Sequence, residues 1–415
     1  MMTRCIVVGI ENSTHIKPVK VFLEELGLFN RNKKINRSGN LHQLYTTCKK
    51  IEELEGIPRN DVEIGYYEKE ESDKSTLEGV VRGFLTNMGF GGNVEKLLEH
   101  LPKKWSVYPP MILLNSGTFD SDVWRGFFED GGLKDEFFGY VLSSGVFPAG
   151  LTHIAVNKPI IEQDIMRRPF NILPVYGDFG PEPTEEMFDS PSEQDFEQAF
   201  WCSAVQNGIY QTWAPRYTMF SRGNIKEKKR VLEQCKDANK KCVFDLYAGI
   251  GYFTLSYLKN GATVFCWEIN PWSIKGLIKS VSKNGYSYKL IRRQESLDHA
   301  SYNKYDKDGV SVYIFHESNE YAMDRYSQIG KTLPLAHINL GLLPTSTPSW
   351  SITKALTRKS STSTVIHVHE NVHVEDFAQV GQKVADYFEG NVVAINKVKT
   401  FAPDIWHVVI DVSLD

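Results

Sequence analysis

The chain has 415 residues, with 47 Lys and Arg against 51 Asp and Glu, and six cysteines. A net charge of −4 excludes a polycation that coats nucleic acid over its whole surface, so any such contact must be a local patch. The cysteines (Cys5, Cys48, Cys202, Cys235, Cys242, Cys266) include no C-x-x-C pair and several fall in apolar runs, which excludes a disulfide scaffold or zinc ribbon and suits a reducing, cytoplasmic compartment.

The first hundred residues read as a small mixed α/β region. Arg4 to Val8 predicts a strand, and Cys5 to Ile10 is too short an apolar run for a signal peptide or membrane span. Val19 to Leu28 predicts an amphipathic helix with Val19, Phe22, Leu23, Leu26 and Leu28 on or near one face. Arg31 to Arg37 is a basic loop, suited to phosphates or to solvent. Val62 to Tyr67 predicts a strand, and Gly79 to Met88 and Val94 to Leu101 predict helices. Short strands are expected around Ile154 to Pro159 and Phe170 to Tyr176. Asp178 to Glu197 holds eight acids and no Lys or Arg; it reads as an exposed linker or surface loop that RNA would avoid. Residues 1–199 are accordingly assigned to an accessory or nucleic-acid-side region and 200–415 to a catalytic domain.

From Phe200 the chain becomes aromatic and turn-punctuated, with a hairpin expected at Asn207-Gly208. Asn224 can cap a basic helix from Ile225 to Cys235. Cys242 to Leu246 is then a short apolar strand. Asp245, Gly249 and Gly251 mark a turn where the backbone tightens and a ligand can approach. Tyr252 to Lys259 predicts a helix stopped by Asn260-Gly261, and Thr263 to Trp267 a strand ending on Glu268. In a strand–glycine turn–helix–strand unit with a terminal acid, a nucleoside lies across the strand ends and the carboxylate accepts its ribose hydroxyls. Thr254 stands where a dinucleotide fingerprint needs its third glycine. The pattern is closer to Rossmann-like methyltransferases that bind S-adenosyl-L-methionine (SAM).

Asn270-Pro271 opens a further helix that closes at Asn284-Gly285. Tyr288 to Arg292 is taken as the third strand, its end Gln294-Glu295 reaching the adenine. Val310 to Phe315 and Glu317 to Gly330 are taken as an insertion. Strands follow at Ala336, Thr364 to His369, Val392 to Val398 and His407 to Val412. The expected fold is α/β: a Rossmann-like methyltransferase sheet of about seven strands, preceded by the mixed N-terminal region.

Met219 to Arg230, Asp245 to Thr254, Glu268-Ile-Asn-Pro271, Leu340 to Ser346, His367-Val-His-Glu-Asn371 and Ala402 to Val409 together resemble the tRNA wybutosine-synthesizing aminocarboxypropyltransferases, relatives of the tRNA guanine-N1 methyltransferases. The resemblance covers Phe200 to the C-terminus well and is looser upstream. It implies SAM binding by Ser221 and Lys228 of the basic motif, by Glu268, and by the turn positions Asp245, Ala248, Gly249 and Gly251. The family's Asp-Asn pair after strand three is replaced by Gln294-Glu295. The implied reaction moves the 3-amino-3-carboxypropyl group of SAM to 4-demethylwyosine at position 37 of tRNA(Phe), beside the anticodon. Methylthioadenosine is the by-product.

Such chemistry depends on placing one sulfonium carbon in line with the nucleophile, and no catalytic triad or carboxylate pair is evident. His369, Glu370 or Asn371 could take the proton lost from the attacked carbon. Arg216, Arg222 and Lys229 are candidate phosphate contacts. Trp213, Tyr217, Phe220 and Tyr252 could stack on a splayed base or simply pack in the core. His367, His369 and His373 alternate along a strand, but an apolar strand in a fold whose donor needs no metal argues against a metal site. No membrane and no obligate protein partner are expected. The alternatives are a SAM-dependent tRNA guanine methyltransferase and a non-catalytic tRNA-binding subunit.

Overall fold

The computed structural model describes residues 2–30, 33–58, 62–70, 76–129, 133–157 and 172–414. Residues 1–90 with 143–146 form one compact unit, and 91–142 with 147–415 form a second. The division expected at 199/200 therefore falls inside a unit, because side chains such as Tyr108, Met111, Phe179 and Phe196 pack against Cys202, Trp213, Ile250 and Trp272 of the chain beyond it.

The first unit contains β1 (Met2–Ile10), α1 (Ile16–Glu25), β2 (Asn36–Ser38), β3 (Leu41–Tyr45), β4 (Val62–Glu70) and α2 (Leu77–Asn87). The strands form an antiparallel sheet in the order β2-β3-β1-β4. Helical spacing puts Val19 and Leu23 of α1 on Ile6, Val8, Ile10 and Leu44, so burial of this apolar stripe holds the helix to the sheet. Arg31 and Asn32 of the basic loop lie outside the described residues, and Lys33 sits over the rings of Tyr45 and Tyr67.

The second unit opens with α3 (Val94–Glu99), β5 (Trp105–Tyr108), β6 (Met111–Leu114), α4 (Asp122–Glu129), α5 (Leu133–Ser143), β7 (His153–Asn157) and β8 (Ile172–Tyr176). Its four strands pair in chain order. Residues 158–171, which include part of both strand segments expected there, lie outside the described residues.

The acidic stretch is not a linker. It folds as α6 (Glu185–Asp189) and α7 (Glu193–Gln198), capped by Thr184 and Ser192, and buries Phe188 and Phe196 beside Tyr217 and Trp272. Its carboxylates meet cations of the same unit: Glu182 pairs with Arg216 and Glu193 with Lys275, each at 2.5 Å. The run carries capping residues and two phenylalanines at anchoring positions, which outweigh its charge.

β9 (Cys202–Gln206) and β10 (Ile209–Trp213) form the expected hairpin. Asn207 and Gly208 both take positive φ, 54° and 69°, the conformation such a two-residue turn requires. There follow α8 (Ile225–Gln234), β11 (Cys242–Asp245), α9 (Thr254–Lys259), β12 (Thr263–Glu268), α10 (Pro271–Lys283), β13 (Tyr288–Arg292), α11 (His299–Lys307), β14 (Val312–His316), α12 (Ala322–Ile329), β15 (Leu335–Leu340), α13 (Trp350–Thr357), β16 (Thr364–His373), α14 (Phe377–Phe388), β17 (Asn391–Ala402) and β18 (Ile405–Leu414). Asn270 caps α10 through Trp272 N and Ser273 N, with Pro271 in its first turn.

These strands build an eight-stranded sheet in the order β13-β14-β12-β11-β15-β16-β18-β17. It is parallel from β13 to β16 and antiparallel at β18 and β17. This is the Rossmann-like α/β arrangement with one strand more than expected. The difference corrects the assignment of strand three: β14 lies beside β12, and β13 is the outer edge. Val312 to Phe315 are all buried, as a central parallel strand demands, whereas only Ile291 of β13 is buried. The added element is thus β13 with α11, not residues 310–330. Among the described residues no helix is long and apolar enough to cross a membrane.

Candidate functional site

The carboxyl ends of β11, β12 and β15 converge under a crevice of about 240 Å³. Ser221, Asn224, Gly249, Tyr252, Glu268 and Leu342 are among its lining residues. A crevice beyond the carboxyl ends of parallel strands is where open α/β sheets bind ligands.

Glu268 is fixed by the backbone around it. Its Oε2 accepts from Gly249 N at 2.8 Å, and its Oε1 from Ile269 N and Asn270 N, also at 2.8 Å. Burial raises the carboxyl pKa, and the three N–H donors oppose that shift. A carboxylate offers about four acceptor positions, so the group keeps capacity for a ligand hydroxyl. The glycine turn needs its glycines. Gly251 has φ 88°, and a Cβ there would stand 2.6 Å from Leu277 Cδ1 of α10. Gly249, at φ 55°, directs its N–H at Glu268.

Asp245 and Ala248 belong to the turn's foundation and are absent from the crevice lining. Asp245 is fully buried, where it accepts from Thr254 Oγ1 at 2.7 Å and Asn339 Nδ2 at 3.0 Å. Ala248 is packed in the core between α8, α9 and the sheet. Both act on the crevice through backbone shape.

The opposite wall comes from Met219 to Asn224. The Tyr252 hydroxyl donates to Met219 O and accepts from Ser221 N at 3.1 Å, which pins this segment. Asn224 faces the crevice, and its Oδ1 is buried with no hydrogen-bond partner among the described residues. Its side chain does not cap α8. Sequence reasoning gave Asn224 the capping role and overlooked it as a binding group.

Lys228 lies behind this wall. Its Nζ donates to Gln206 Oε1 at 2.9 Å and Gln211 Oε1 at 2.8 Å. It sits 4.7 Å from the Phe220 ring centre and 5.0 Å from that of Tyr252. Burial pushes its ammonium down to about 7. Gln211 turns its Nε2 to Gly251 O at 3.2 Å, so one amide joins the basic helix to the glycine turn.

On the far side, Gly341, Leu342 and Leu343 line the crevice. Their loop is anchored by Glu370 Oε1, which accepts from Thr345 Oγ1 at 3.0 Å and Ser346 N at 2.9 Å. The Asn371 backbone N–H donates to Pro344 O at 2.8 Å. Both polar atoms of the Asn371 side chain are buried without partners among the described residues. His369 is 1% exposed, bonded through Nδ1 to His407 Nε2 at 2.9 Å, with Phe253 against its ring. Phe253 separates it from the crevice, so His369 is not positioned to meet a substrate.

Gln294-Glu295 also lie elsewhere. They are exposed at the end of edge strand β13, and Glu295 Oε2 accepts from Arg292 N at 2.7 Å. β14 stands between them and β12. The residue in register with Glu268 is His316, and the following loop brings Asn319 Nδ2 to Leu246 O at 2.8 Å. His316, Ser318 and Asn319 are therefore the groups flanking Glu268 on that side. The all-apolar run Val312 to Phe315 was the signal for this placement.

The cation candidates separate. Arg216 is buried, donating to Gly180 O, Pro181 O and Glu182, so it braces the acidic stretch and is not a phosphate contact. Arg222 donates to Ser106 Oγ at 2.7 Å on the rim of a neighbouring cavity that shares Thr218 and Met219 with the crevice. Lys229 is exposed and 3.5 Å from Glu233. Of the aromatic candidates, Trp213 stacks on Phe220 and Tyr217 on Trp272; Tyr252 lines the crevice itself.

Residues 204–312 match the family model of the TRM5/TYW2 methyltransferase domain. The chain is 43% identical to "tRNA wybutosine-synthesizing protein 2" of Schizosaccharomyces pombe, over 75% of this chain and 73% of that protein. It is 34% identical to "tRNA wybutosine-synthesizing protein 2" of Saccharomyces cerevisiae over 96% of both. Among solved structures, the P. horikoshii TYW2 in complex with MeSAdo superposes with a TM-score of 0.52 at 18% identity, covering 81% of this chain and 98% of that one. At that identity the superposition establishes the shared fold.

Proposed function

The chain belongs to the tRNA wybutosine-synthesizing protein 2 family, and from this premise we propose that it transfers the 3-amino-3-carboxypropyl group of SAM to 4-demethylwyosine at position 37 of tRNA(Phe). It is a SAM-using, tRNA-modifying transferase of wybutosine synthesis. The observation that carries the assignment of the donor site is Glu268, a carboxylate held by three backbone N–H groups at the rim of the crevice.

The residues present suit SAM. Glu268 would accept the ribose hydroxyls. Ser221 and the unpartnered Asn224 Oδ1 would meet the amino-acid end, with Lys228 as a cation behind Tyr252. His316 and Asn319 flank the side assigned to the adenine. Gly249 and Gly251 let the turn approach closely.

The reaction forms a bond from the nucleophilic carbon of the base to the γ-carbon of the methionine chain. The sulfur–carbon bond breaks with its electron pair on sulfur, so methylthioadenosine leaves neutral, and the base carbon loses a proton. Positioning selects among the three activated carbons, consistent with large rate gains from alignment alone. With His369 behind Phe253, the departing proton passes to solvent. The anticodon loop is the part of the tRNA assigned to this crevice, because its bases can be splayed out. Six buried, free thiols support a reducing compartment, which we take to be the cytoplasm.

The test uses tRNA from a strain that accumulates the precursor base, with SAM labelled separately in its methyl and carboxyl carbons. Carboxyl label in tRNA is expected. Methyl label alone would mean a methyltransferase, and no label in tRNA would mean a binding subunit.

A further inference from the structure

Behind the crevice, at the far end of α8, three donors from three separate elements converge. Cys235 follows α8, His337 is on β15 and His367 on β16, and all three are buried. One ligand atom from each lies within 4.8 Å of the other two. The facing ring nitrogens, His337 Nδ1 and His367 Nε2, are 3.0 Å apart. Each imidazole is oriented by a carboxylate on its other nitrogen: Asp237 Oδ1 lies 3.1 Å from His337 Nε2, and Asp411 Oδ1 lies 2.6 Å from His367 Nδ1.

We propose that Cys235 Sγ, His337 Nδ1 and His367 Nε2 hold one zinc-class divalent cation. A metal-bound histidine almost always gives its other N–H to a carboxylate or carbonyl, and here both histidines do so. Zn–N bonds of about 2.0 Å and a Zn–S bond of about 2.3 Å put tetrahedral nitrogen donors roughly 3.3 Å apart, a few tenths of an ångström beyond the observed separation. An independent observation points to the same place. Tyr257 packs its ring 5.6 Å from that of His337 and 6.3 Å from that of His367. Its hydroxyl is buried with no hydrogen-bond partner among the described residues. That oxygen, or a water that it anchors, completes the coordination.

Metal entry displaces the thiol proton and the proton held between the two rings, and both pass to solvent. The cation would fasten the end of α8 to β15 and β16. It therefore supports the wall that carries Lys228 and plays no part in the transfer itself.

The experiment is done on the full-length protein. Zinc is measured after gel filtration, and metal-stripped protein is titrated with Co²⁺ alone. About one zinc per chain is expected, with tetrahedral d–d bands and a thiolate-to-cobalt charge-transfer band. Cys235→Ser should lose the charge-transfer band. Asp237→Asn, which changes only a partner of His337 on the protein surface, should weaken cobalt binding 10- to 100-fold. If Cys235→Ser does not fold, the wild-type charge-transfer band decides. Absence of that band, with a melting temperature unmoved by metal or chelator, would show that the rings share only a proton and overturn the site. Bound zinc that Cys235→Ser and Asp237→Asn both leave undiminished would overturn it equally.

Discussion

The Gly249 N–H donates to Glu268 Oε2 at 2.8 Å, so the turn after one central strand is tied to the acid ending the next. The same carboxylate that is assigned to the ribose also sets the shape of the glycine turn. Replacing it has two separable effects. Glu268→Gln keeps one acceptor oxygen and the side chain's size. It should weaken SAM binding roughly 10- to 100-fold, the effect of losing a charged hydrogen bond of about 1.5–3 kcal/mol. Calorimetric titration reads the affinity, and circular dichroism confirms the fold. Unchanged affinity would remove Glu268 from the donor site.

Asn224 offers the opposite case, a polar atom that the protein itself leaves unused. Asn224→Ala should leave the melting temperature close to that of the wild type. It should raise the KM for SAM roughly tenfold, because a hydrogen bond of about 1–1.5 kcal/mol is lost only in the complex. A drop in stability without any change in KM would show a structural role.

Lys228 carries a pH signature. Its folded pKa is about 7, lowered by burial from 10.5. Between those values the unfolded chain holds a proton that the folded chain has released, so unfolding takes up a proton and stability rises with pH. The contribution grows by at most about 1.4 kcal/mol per pH unit. Melting temperatures taken from pH 6 to 9.5 should show Lys228→Met gaining on the wild type at the acid end and losing that advantage as the pH rises. Parallel curves would contradict the burial account.

Arg216 and Lys229 should behave differently on tRNA. Arg216→Ala strands the carbonyls of Gly180 and Pro181 and should cost stability, about 1–3 kcal/mol. The salt dependence of tRNA binding should stay unaltered. Lys229→Ala should barely change stability, since an exposed ion pair contributes at most about 1 kcal/mol. If Lys229 touches a phosphate, the slope of log affinity against log salt should fall by about one.

Asp245→Asn tests the foundation of the turn. The amide can still accept from Thr254 but presents a donor or a weaker acceptor to Asn339. Thermal stability should fall by about 1–3 kcal/mol, while the rate at saturating SAM stays within a few-fold. A selective loss of SAM affinity with intact stability would place Asp245 on the ligand instead.

What the sequence disclosed and what it concealed follow from the range of the interactions. The glycine turn, the terminal acid, the hairpin at Asn207-Gly208 and the Asn270-Pro271 helix start are local patterns, and they appear where the residues put them. Strand order is not local. Tyr288 to Arg292 and Val310 to Phe315 both look like strands, and only pairing across the sheet shows which one meets β12. Burial of Phe188 and Phe196 depends on Trp272, far along the chain, so the acidic stretch looked like solvent-facing linker. His369 and Asn371 are two residues apart on one strand, yet Phe253 covers the first while the second adjoins the Leu343-Pro344 loop. No spacing rule encodes that difference.

Gln211 has a sense of direction. A protonated Lys228 can only give hydrogens and the Gly251 carbonyl can only receive them, so with the ammonium in place rotating the amide end for end would set nitrogen against nitrogen and oxygen against oxygen. A glutamate at this position would face the carbonyl with a second oxygen, and a leucine would leave Lys228 with Gln206 as its amide acceptor and take the side-chain donor from the Gly251 carbonyl. The β9–β10 ribbon, which does not line the crevice, thereby acts as the jig against which the amine and the turn are both squared.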